Sequence, residues 1–178
     1  MFSDNVAYCL RAWRGAVLLT ILASSIAAAP SHAETTAKDV QIILKSIGFL
    51  ASKPSGAVDI AVVFNPSDAA SKKDAEAIKA LLDAAPGGSI TPKAVLLGVD
   101  KIGTFTGPVA VAAAGVTLDA AKGHKVLTVS TDASCAQGGK CILSVHSTPN
   151  VEILFNGGVA QASGIEFLPT FRMMITEL

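Results

Sequence analysis

The hydrophobic pattern from residue 34 onward alternates between continuous apolar runs and helical stripes. Residues 57–64 and 93–99 form two short runs rich in Val and Leu, which is typical of strands that are covered on both faces. Between these runs, apolar residues recur at helical spacing over residues 71–85. Strand, helix and strand in this order predict a βαβ unit with two parallel strands.

Two amphipathic helices are predicted in this first half of the chain. The first follows Glu34, and Thr36 with Asp39 has the spacing of a capping box. Its buried stripe is predicted to be Val40, Ile43, Leu44 and Ile47. The second is predicted to start at Ser71, with Asp74 three residues later. Its stripe is Ala75, Ile78, Leu81, Leu82 and Ala85.

The second half of the chain predicts more strands. Residues 108–116 and 125–130 are apolar runs that predict a third and a fourth strand, with a short helix at residues 117–122 between them. The glycines after Cys135 predict a turn.

The C-terminal third predicts a different connectivity. Residues 141–146 and 151–155 are separated by a four-residue loop, which is the spacing of an antiparallel hairpin. Residues 157–163 and 168–177 predict two helices. We therefore predict a single α/β domain: a mixed sheet with helices on both faces, an N-terminal βαβ unit and a C-terminal antiparallel hairpin.

The first 33 residues have the pattern of a signal peptide. Arg11 and Arg14 precede an apolar run at residues 15–29, and Ser31-His32-Ala33 places small residues at the −3 and −1 positions of a cleavage site. The alternative is an uncleaved membrane anchor, but the run is short of the roughly 20 residues that a spanning helix needs. We predict cleavage after Ala33 and export of a periplasmic domain, residues 34–178, with no membrane insertion afterwards.

The charge balance and the length of this domain limit the kinds of molecule that it can bind. The whole chain has 14 Lys and Arg against 14 Asp and Glu, and removal of residues 1–33 leaves 12 against 13. This balance provides no basic surface for nucleic acid. The remaining length suffices for one hydrophobic core but is too short for a two-lobed solute receptor.

Catalytic side chains are few after residue 33. The histidines there are His124 and His146, and they show no clustered zinc-binding spacing. A triad of Ser130, Asp132 and His146 is an alternative, but no nucleophile elbow accompanies it. We predict no enzyme, with no catalytic, cofactor-binding or metal-binding residues.

The sequence matches two glycine-dependent nucleotide-binding motifs only in part. The first predicted strand-to-helix turn, residues 65–68, has no glycine for a close approach to a pyrophosphate. Residues 138–141 are similar to the end of a phosphate-binding loop, but Ser134 stands at the first glycine position and Cys141 at the magnesium-binding hydroxyl position. A glycine turn that enters a strand explains these residues better.

Cys135 and Cys141 are predicted to form a disulfide, because paired cysteines in an exported protein are usually oxidised. The glycines between them allow the chain to reverse, and closing so short a ring stabilises by roughly 2 kcal/mol on the loop-entropy estimate. The alternative is two free thiols. The sequence leaves open whether a disulfide here is structural or a redox switch.

The C-terminal half resembles the YfiR-like periplasmic proteins. The similar features are the strand at residues 126–130, the cysteine-containing loop with Gly138 and Gly139, and the strand at residues 151–156 followed by two helical segments. Upstream, residues 49–54 resemble the family's Trp-Pro corner, although Lys53 stands where the family has Trp. The family also has a structural disulfide in some members at the position of the cysteine pair.

This resemblance implies a non-enzymatic periplasmic regulator. Such proteins bind and repress the periplasmic part of an inner-membrane diguanylate cyclase, which affects cyclic-di-GMP signalling and biofilm formation, and members can form homodimers. The alternative from the predicted topology is a small-molecule-binding module, with its ligand at the carboxyl ends of the parallel strands near Asn65 and Asp100.

Overall fold

The computed structural model describes residues 34–86 and 88–178. The predicted signal peptide and its cleavage site lie outside these residues. The strands are β1 Gly56–Phe64, β2 Ile90–Gly98, β3 Val109–Ala112, β4 Leu127–Ser130, β5 Leu143–His146, β6 Glu152–Phe155 and β7 Thr176–Glu177. The helices are α1 Ala37–Ile47, α2 Ala69–Asp83, α3 Ala133–Gln137, α4 Gly157–Ala162 and α5 Pro169–Arg172.

The described strands form one mixed sheet in the order β2-β1-β3-β4-β5-β6-β7. The first five pair in parallel, β6 is antiparallel to β5, and β7 is parallel to β6. This confirms the predicted fold class, including the βαβ unit and the C-terminal hairpin. Helix α2 connects β1 to β2, and α3 connects β4 to β5, which lies towards the other edge of the sheet. Because connections between parallel strands are right-handed, helices that lead towards opposite edges cover opposite faces.

The core follows from strands that are apolar on both sides. Every residue of β3 and β4 is buried, as are Ile60 to Val63 of β1. Alanine and β-branched residues dominate these strands, so that helices can approach both faces closely. The three strands therefore form the middle layer of the domain.

Helix α1 begins as the sequence predicts. The Thr36 side chain accepts a hydrogen bond from the Asp39 backbone N–H, and the Asp39 carboxylate accepts one from the Thr36 backbone N–H. This reciprocal pair satisfies two of the unpaired N–H groups at the helix start. Of the four predicted stripe residues, Leu44 is half-buried and the other three are buried, namely Val40, Ile43 and Ile47.

Helix α2 starts earlier than predicted. Asp68, not Ser71, is the N-cap, and its carboxylate accepts a hydrogen bond from the Ala70 backbone N–H. Ser71 is buried inside the helix, where its hydroxyl accepts a hydrogen bond from the Asn65 backbone N–H. Ser71 therefore closes the turn after β1.

Two other sequence predictions were wrong. β2 was predicted as a buried strand, but it is an edge strand that pairs with β1 alone and exposes Val95. The predicted helix at residues 168–177 is instead one short helix, α5, followed by the edge strand β7. Local apolar runs do not reveal which strands end up at an edge, because the strand order is a long-range property.

Two valine substitutions test the burial pattern. Val62→Ala in β1 should lower the free energy of unfolding by roughly 2 kcal/mol, because it removes two fully buried methyl groups. Val95→Ala on the exposed side of β2 is the matched control and should cost well under about 1 kcal/mol. Urea denaturation followed by circular dichroism measures both. Equal losses would contradict the assignment of β2 as an edge strand.

Candidate functional site

Most of the exposed large apolar side chains lie in the part of the chain from Val151 onward. Six large apolar side chains are exposed among the described residues, and five of them belong to this part. We call these five the C-terminal apolar surface: Val151, Leu168, Met173, Met174 and Leu178. Met173 is the most exposed of them, at 80%.

The C-terminal apolar surface is positioned by β7. Thr176 and Glu177 pair with Leu154 and Phe155 of β6, and this pairing holds the last residues along the edge of the sheet. Met173 and Met174 lie between α5 and β7 and remain exposed there.

Four aromatic side chains anchor α5 beneath this surface. The Phe167 and Phe171 rings stack at a centroid distance of 4.6 Å, and Phe171 also stacks on Phe49 at 5.2 Å. Phe155 meets Phe167 edge-to-face at 5.6 Å. Such pairs contribute beyond the area that they bury. The sequence interpretation of the Phe residues as core rather than a ligand cage fits this cluster.

The same region is tied to the end of α1 by backbone hydrogen bonds. Leu50 and Phe167 form an antiparallel bridge. The Ala51 N–H donates to the Glu166 carbonyl, and the Leu168 N–H donates to the Phe49 carbonyl, both at 2.8 Å. Hydrogen bonds thus hold the backbone next to Leu168, while the Met173 side chain remains exposed.

Two charged pairs lie next to residues of this apolar surface. Arg172 pairs with Glu177, and its guanidinium lies 5.7 Å from the centre of the Phe155 ring. His146 Nε2 lies 3.1 Å from Glu152 Oε2 at the other end of the same edge. These pairs are partly exposed and contribute little to stability. They give the apolar surface a polar rim, which is the usual anatomy of a protein interface.

Three cavities lie along the described residues. A cavity of about 570 Å³ is lined by Phe155, Phe167, Arg172 and Glu177 among others. A second, of about 720 Å³, lies between the end of α1 and the start of β2. A third, of about 450 Å³, has Val151 and Met174 in its lining.

None of these three cavities is lined by Asn65 or Asp100, where the sequence placed a ligand. Asn65 is engaged in its own turn, because its side-chain oxygen accepts a hydrogen bond from the Ser67 N–H at 3.0 Å. At the end of β2, a Cβ on Gly98 would lie 2.4 Å from an Asp100 carboxylate oxygen and 3.1 Å from Pro66. The Asp100 carboxylate and Pro66 therefore occupy the space beside Gly98.

The structure places Cys135 and Cys141 at disulfide distance, with their Cα atoms 5.5 Å apart. Cys135 lies in α3, a short helix that the sequence did not predict, and Cys141 precedes β5. Both cysteines are buried, at 5% and 0% exposure. A thiol must reach the sulfur in order to reduce a disulfide, so this burial favours a structural role.

The residues of the alternative triad have other partners. The Ser130 hydroxyl accepts a hydrogen bond from the Asp132 N–H, and the Asp132 carboxylate caps α3 at the Ser134 N–H. His146 faces Glu152 instead of Asp132. The hydrogen bonds that would link nucleophile, base and carboxylate are thus not formed. His124 is exposed, as a surface residue would be.

The two glycines of the cysteine loop follow a helix rather than opening one. Gly138 is the C-cap of α3, and Gly139 has a φ of 67°, in the left-handed region that favours glycine. A phosphate-binding loop presents the N-terminus of a helix to its ligand. The geometry here is that of a turn leading to β5.

Two further findings concern metals and membranes. Among residues 34–86 and 88–178, no group of three or more His, Cys, Asp and Glu side chains could hold a metal ion. Across the same residues, no helix has the length and apolar character needed to cross a bilayer.

Comparison with known proteins adds a fold relationship. No family model matches the chain, and no curated protein matches it. The fold is similar to that in the crystal structure of the ABC domain in complex with L-Trp from Streptococcus pneumonia, with a TM-score of 0.51 and 13% identity. The similarity covers 79% of this chain and 59% of that one, so this chain spans less than two thirds of its structural neighbour. This likeness supports the α/β fold alone.

Sequence reasoning missed the C-terminal apolar surface. Met173 and Met174 fell inside a predicted helix, where apolar residues are ordinarily assigned to a buried stripe. Their exposure depends on the chain ending α5 at Arg172 and entering β7, which the apolar pattern alone does not show.

The burial of the cysteines leads to a prediction about reduction. In native buffer the oxidised protein should resist millimolar reduced glutathione, whereas the same treatment in urea should reduce it. Alkylation followed by intact-mass measurement counts the free thiols in each case. Fast reduction of the folded protein would contradict the structural role and favour a redox switch.

Proposed function

We propose that this protein is a non-enzymatic periplasmic regulator that acts by protein contact. In this proposal, residues 1–33 direct export and are cleaved off. The domain then binds the periplasmic part of an inner-membrane diguanylate cyclase and represses it, which affects cyclic-di-GMP signalling and biofilm formation. The resemblance to the YfiR-like proteins suggests this partner. The C-terminal apolar surface is the observation that supports a protein contact.

The chemistry of the C-terminal apolar surface supports a docking role. Exposed apolar side chains that share a surface often mark interaction sites, and Val151 and Met174 line one common cavity. Its most exposed members are Met173 and Met174. Methionine side chains are flexible and polarisable, so they adapt to a partner surface.

The rigid base beneath this surface also favours a contact function. The stacked phenylalanines and the bridge to Leu50 hold the backbone of the segment in place. A pre-organised surface loses less conformational entropy on binding than a mobile one.

Repression by contact needs only a difference in affinity. If the protein binds the inactive conformation of the cyclase more tightly than the active one, it shifts the population towards the inactive state. A hundredfold difference in affinity corresponds to about 2.7 kcal/mol, which a few buried apolar side chains can provide. This requires no catalytic group on the regulator.

Affinity capture tests the proposal. The exported protein is used as bait on detergent-solubilised membranes of its source organism, and captured proteins are identified by mass spectrometry. We expect recovery of a diguanylate cyclase with a periplasmic domain. Met173→Glu combined with Met174→Glu should abolish recovery, because charge is placed in the apolar contact.

Val95→Glu is the matched control for this experiment, since it places one charge on the exposed apolar residue of the opposite edge. It should leave recovery unchanged. Recovery of no cyclase with the unmodified bait would overturn the regulatory proposal. Unchanged recovery with the methionine variant would mean that the contact lies elsewhere, and equal loss in both variants would mean that the loss is not specific to this surface.

A second candidate function is small-molecule binding, and the two larger cavities are what favours it. Their volumes, about 570 and 720 Å³, lie in the range of ligand pockets. The smaller of the two combines an aromatic wall with Arg172 and Glu177, so an amphipathic ligand with charged groups fits its chemistry. The structural neighbour is described in complex with L-Trp, which makes L-tryptophan a reasonable first probe.

Thermal unfolding with L-tryptophan tests this second function. A ligand at 100 times its Kd stabilises by about 2.7 kcal/mol, so binding should raise the Tm by several degrees. The shift should vanish in Arg172→Gln and persist in Lys53→Gln, which alters the other cavity. Absence of a shift in the unmodified protein would contradict L-tryptophan binding.

A further inference from the structure

One buried carboxylate in the described chain is only half satisfied. Asp39 is 4% exposed. Its Oδ2 accepts hydrogen bonds from the Thr36 backbone N–H at 2.8 Å and from the Thr36 hydroxyl at 2.7 Å. Its Oδ1 is buried and has no hydrogen-bond partner among the described residues. An ionised oxygen in this position bears the full cost of losing its water.

The polar groups around Asp39 do not relieve this cost. The Thr36 hydroxyl lies 3.2 Å from that of Ser147, and the Thr35 hydroxyl lies 3.2 Å from that of Thr131. These hydroxyls are thus paired with one another at the carboxyl ends of β4 and β5. Buried carboxylates in proteins are usually matched by a positive charge. The missing partner of Oδ1 is therefore expected to be a cationic donor.

The backbone nitrogen of Glu34 is close in the chain to the nitrogen that already binds this carboxylate. The Thr36 nitrogen lies 2.8 Å from Oδ2, and the Glu34 nitrogen is two residues upstream, no more than about 7 Å from it along the chain. While Glu34 is still joined to Ala33, that nitrogen is a neutral amide with a single N–H. As a free amino terminus it is an ammonium with three donors.

We propose that processing after Ala33 creates the partner of Asp39. Hydrolysis of the Ala33–Glu34 peptide bond by a signal peptidase adds one water, leaving a carboxylate on Ala33 and an ammonium on Glu34. That ammonium turns inward and donates to Asp39 Oδ1. The resulting ion pair locks the start of α1 onto the ends of β4 and β5. This inference rests on the export and cleavage proposed above.

The pairing makes removal of the leader a maturation step for the fold. Before cleavage the described residues supply no counter-charge to this carboxylate, and α1 is held less firmly. After cleavage the contact is complete, and the processed domain is more stable than any form with residues in front of Glu34.

An insertion at the processing site provides the test. The full chain and a variant with one glycine inserted between Ala33 and Glu34 are exported from a bacterial host, and intact mass gives the amino terminus of each product. The inserted glycine moves the ammonium by one residue, about 3.5 Å, and leaves the rest of the domain unchanged. Each is also made with Asp39→Asn, which retains an oxygen acceptor for Thr36 and places an NH₂ group at the Oδ1 position.

We expect the glycine insertion to raise the unfolding equilibrium constant about tenfold and to lower the Tm by about 3–5 °C. Asp39→Asn should have a similar effect on the chain that begins at Glu34 and almost none on the glycine variant. The amino group of the processed chain should also react with an acylating reagent about tenfold more slowly than that of its Asp39→Asn form, because an ion-paired ammonium is shielded.

Three outcomes would overturn the inference. The first is an unchanged Tm on glycine insertion. The second is an Asp39→Asn variant that is neutral or stabilising in the processed chain, which would mean that water alone meets Oδ1. The third is a product whose amino terminus is not Glu34. Intact mass separates this last failure from a failure of the regulatory function, which affinity capture measures independently.

Discussion

Burial of the central strands on both faces is the constraint on which the rest of the structure depends. β3 and β4 have no residue that meets water, so both faces of the sheet must be covered at this point. One short domain has a helix before β1, a helix after β1 and a third after β4 to provide this cover. The edges of the sheet, β2 and β7, are consequently the places where apolar side chains remain accessible to a partner.

Much of the fold could be predicted because its signals are local. The capping box of Thr36 and Asp39, the Val-rich run of β1 and the loop of the hairpin all act within a few residues. The position of β2 at an edge could not be predicted, since strand order depends on contacts between distant segments. The short helix α3 was missed for a related reason: its five residues are mostly small and form no hydrophobic stripe, and hydrogen bonds with Ser144 and Asn156, which lie further along the chain, hold it.

The candidate site was less predictable than the fold. The cysteine pair was identified correctly as a pair that can meet, because spacing and glycines are visible in the sequence. The C-terminal apolar surface was not, since exposure of Met173 and Met174 follows from the switch of the chain into β7. Asp39 was recognised as a capping residue, but its unpartnered oxygen is a property of burial that no local pattern reports.

The bridge between Leu50 and Phe167 joins two segments that are far apart in sequence, and it affects the order in which contacts can form during folding. A chain that appears from its amino terminus first can pair β1, β3 and β4 early, since these contacts are close in sequence. Phe49 stacks on Phe171, which is more than a hundred residues away in sequence, so this contact forms only after residue 171 has emerged. During synthesis the Phe49 ring therefore stays uncovered for longer than the central strands do, and transiently exposed apolar surface of this kind is what chaperones bind.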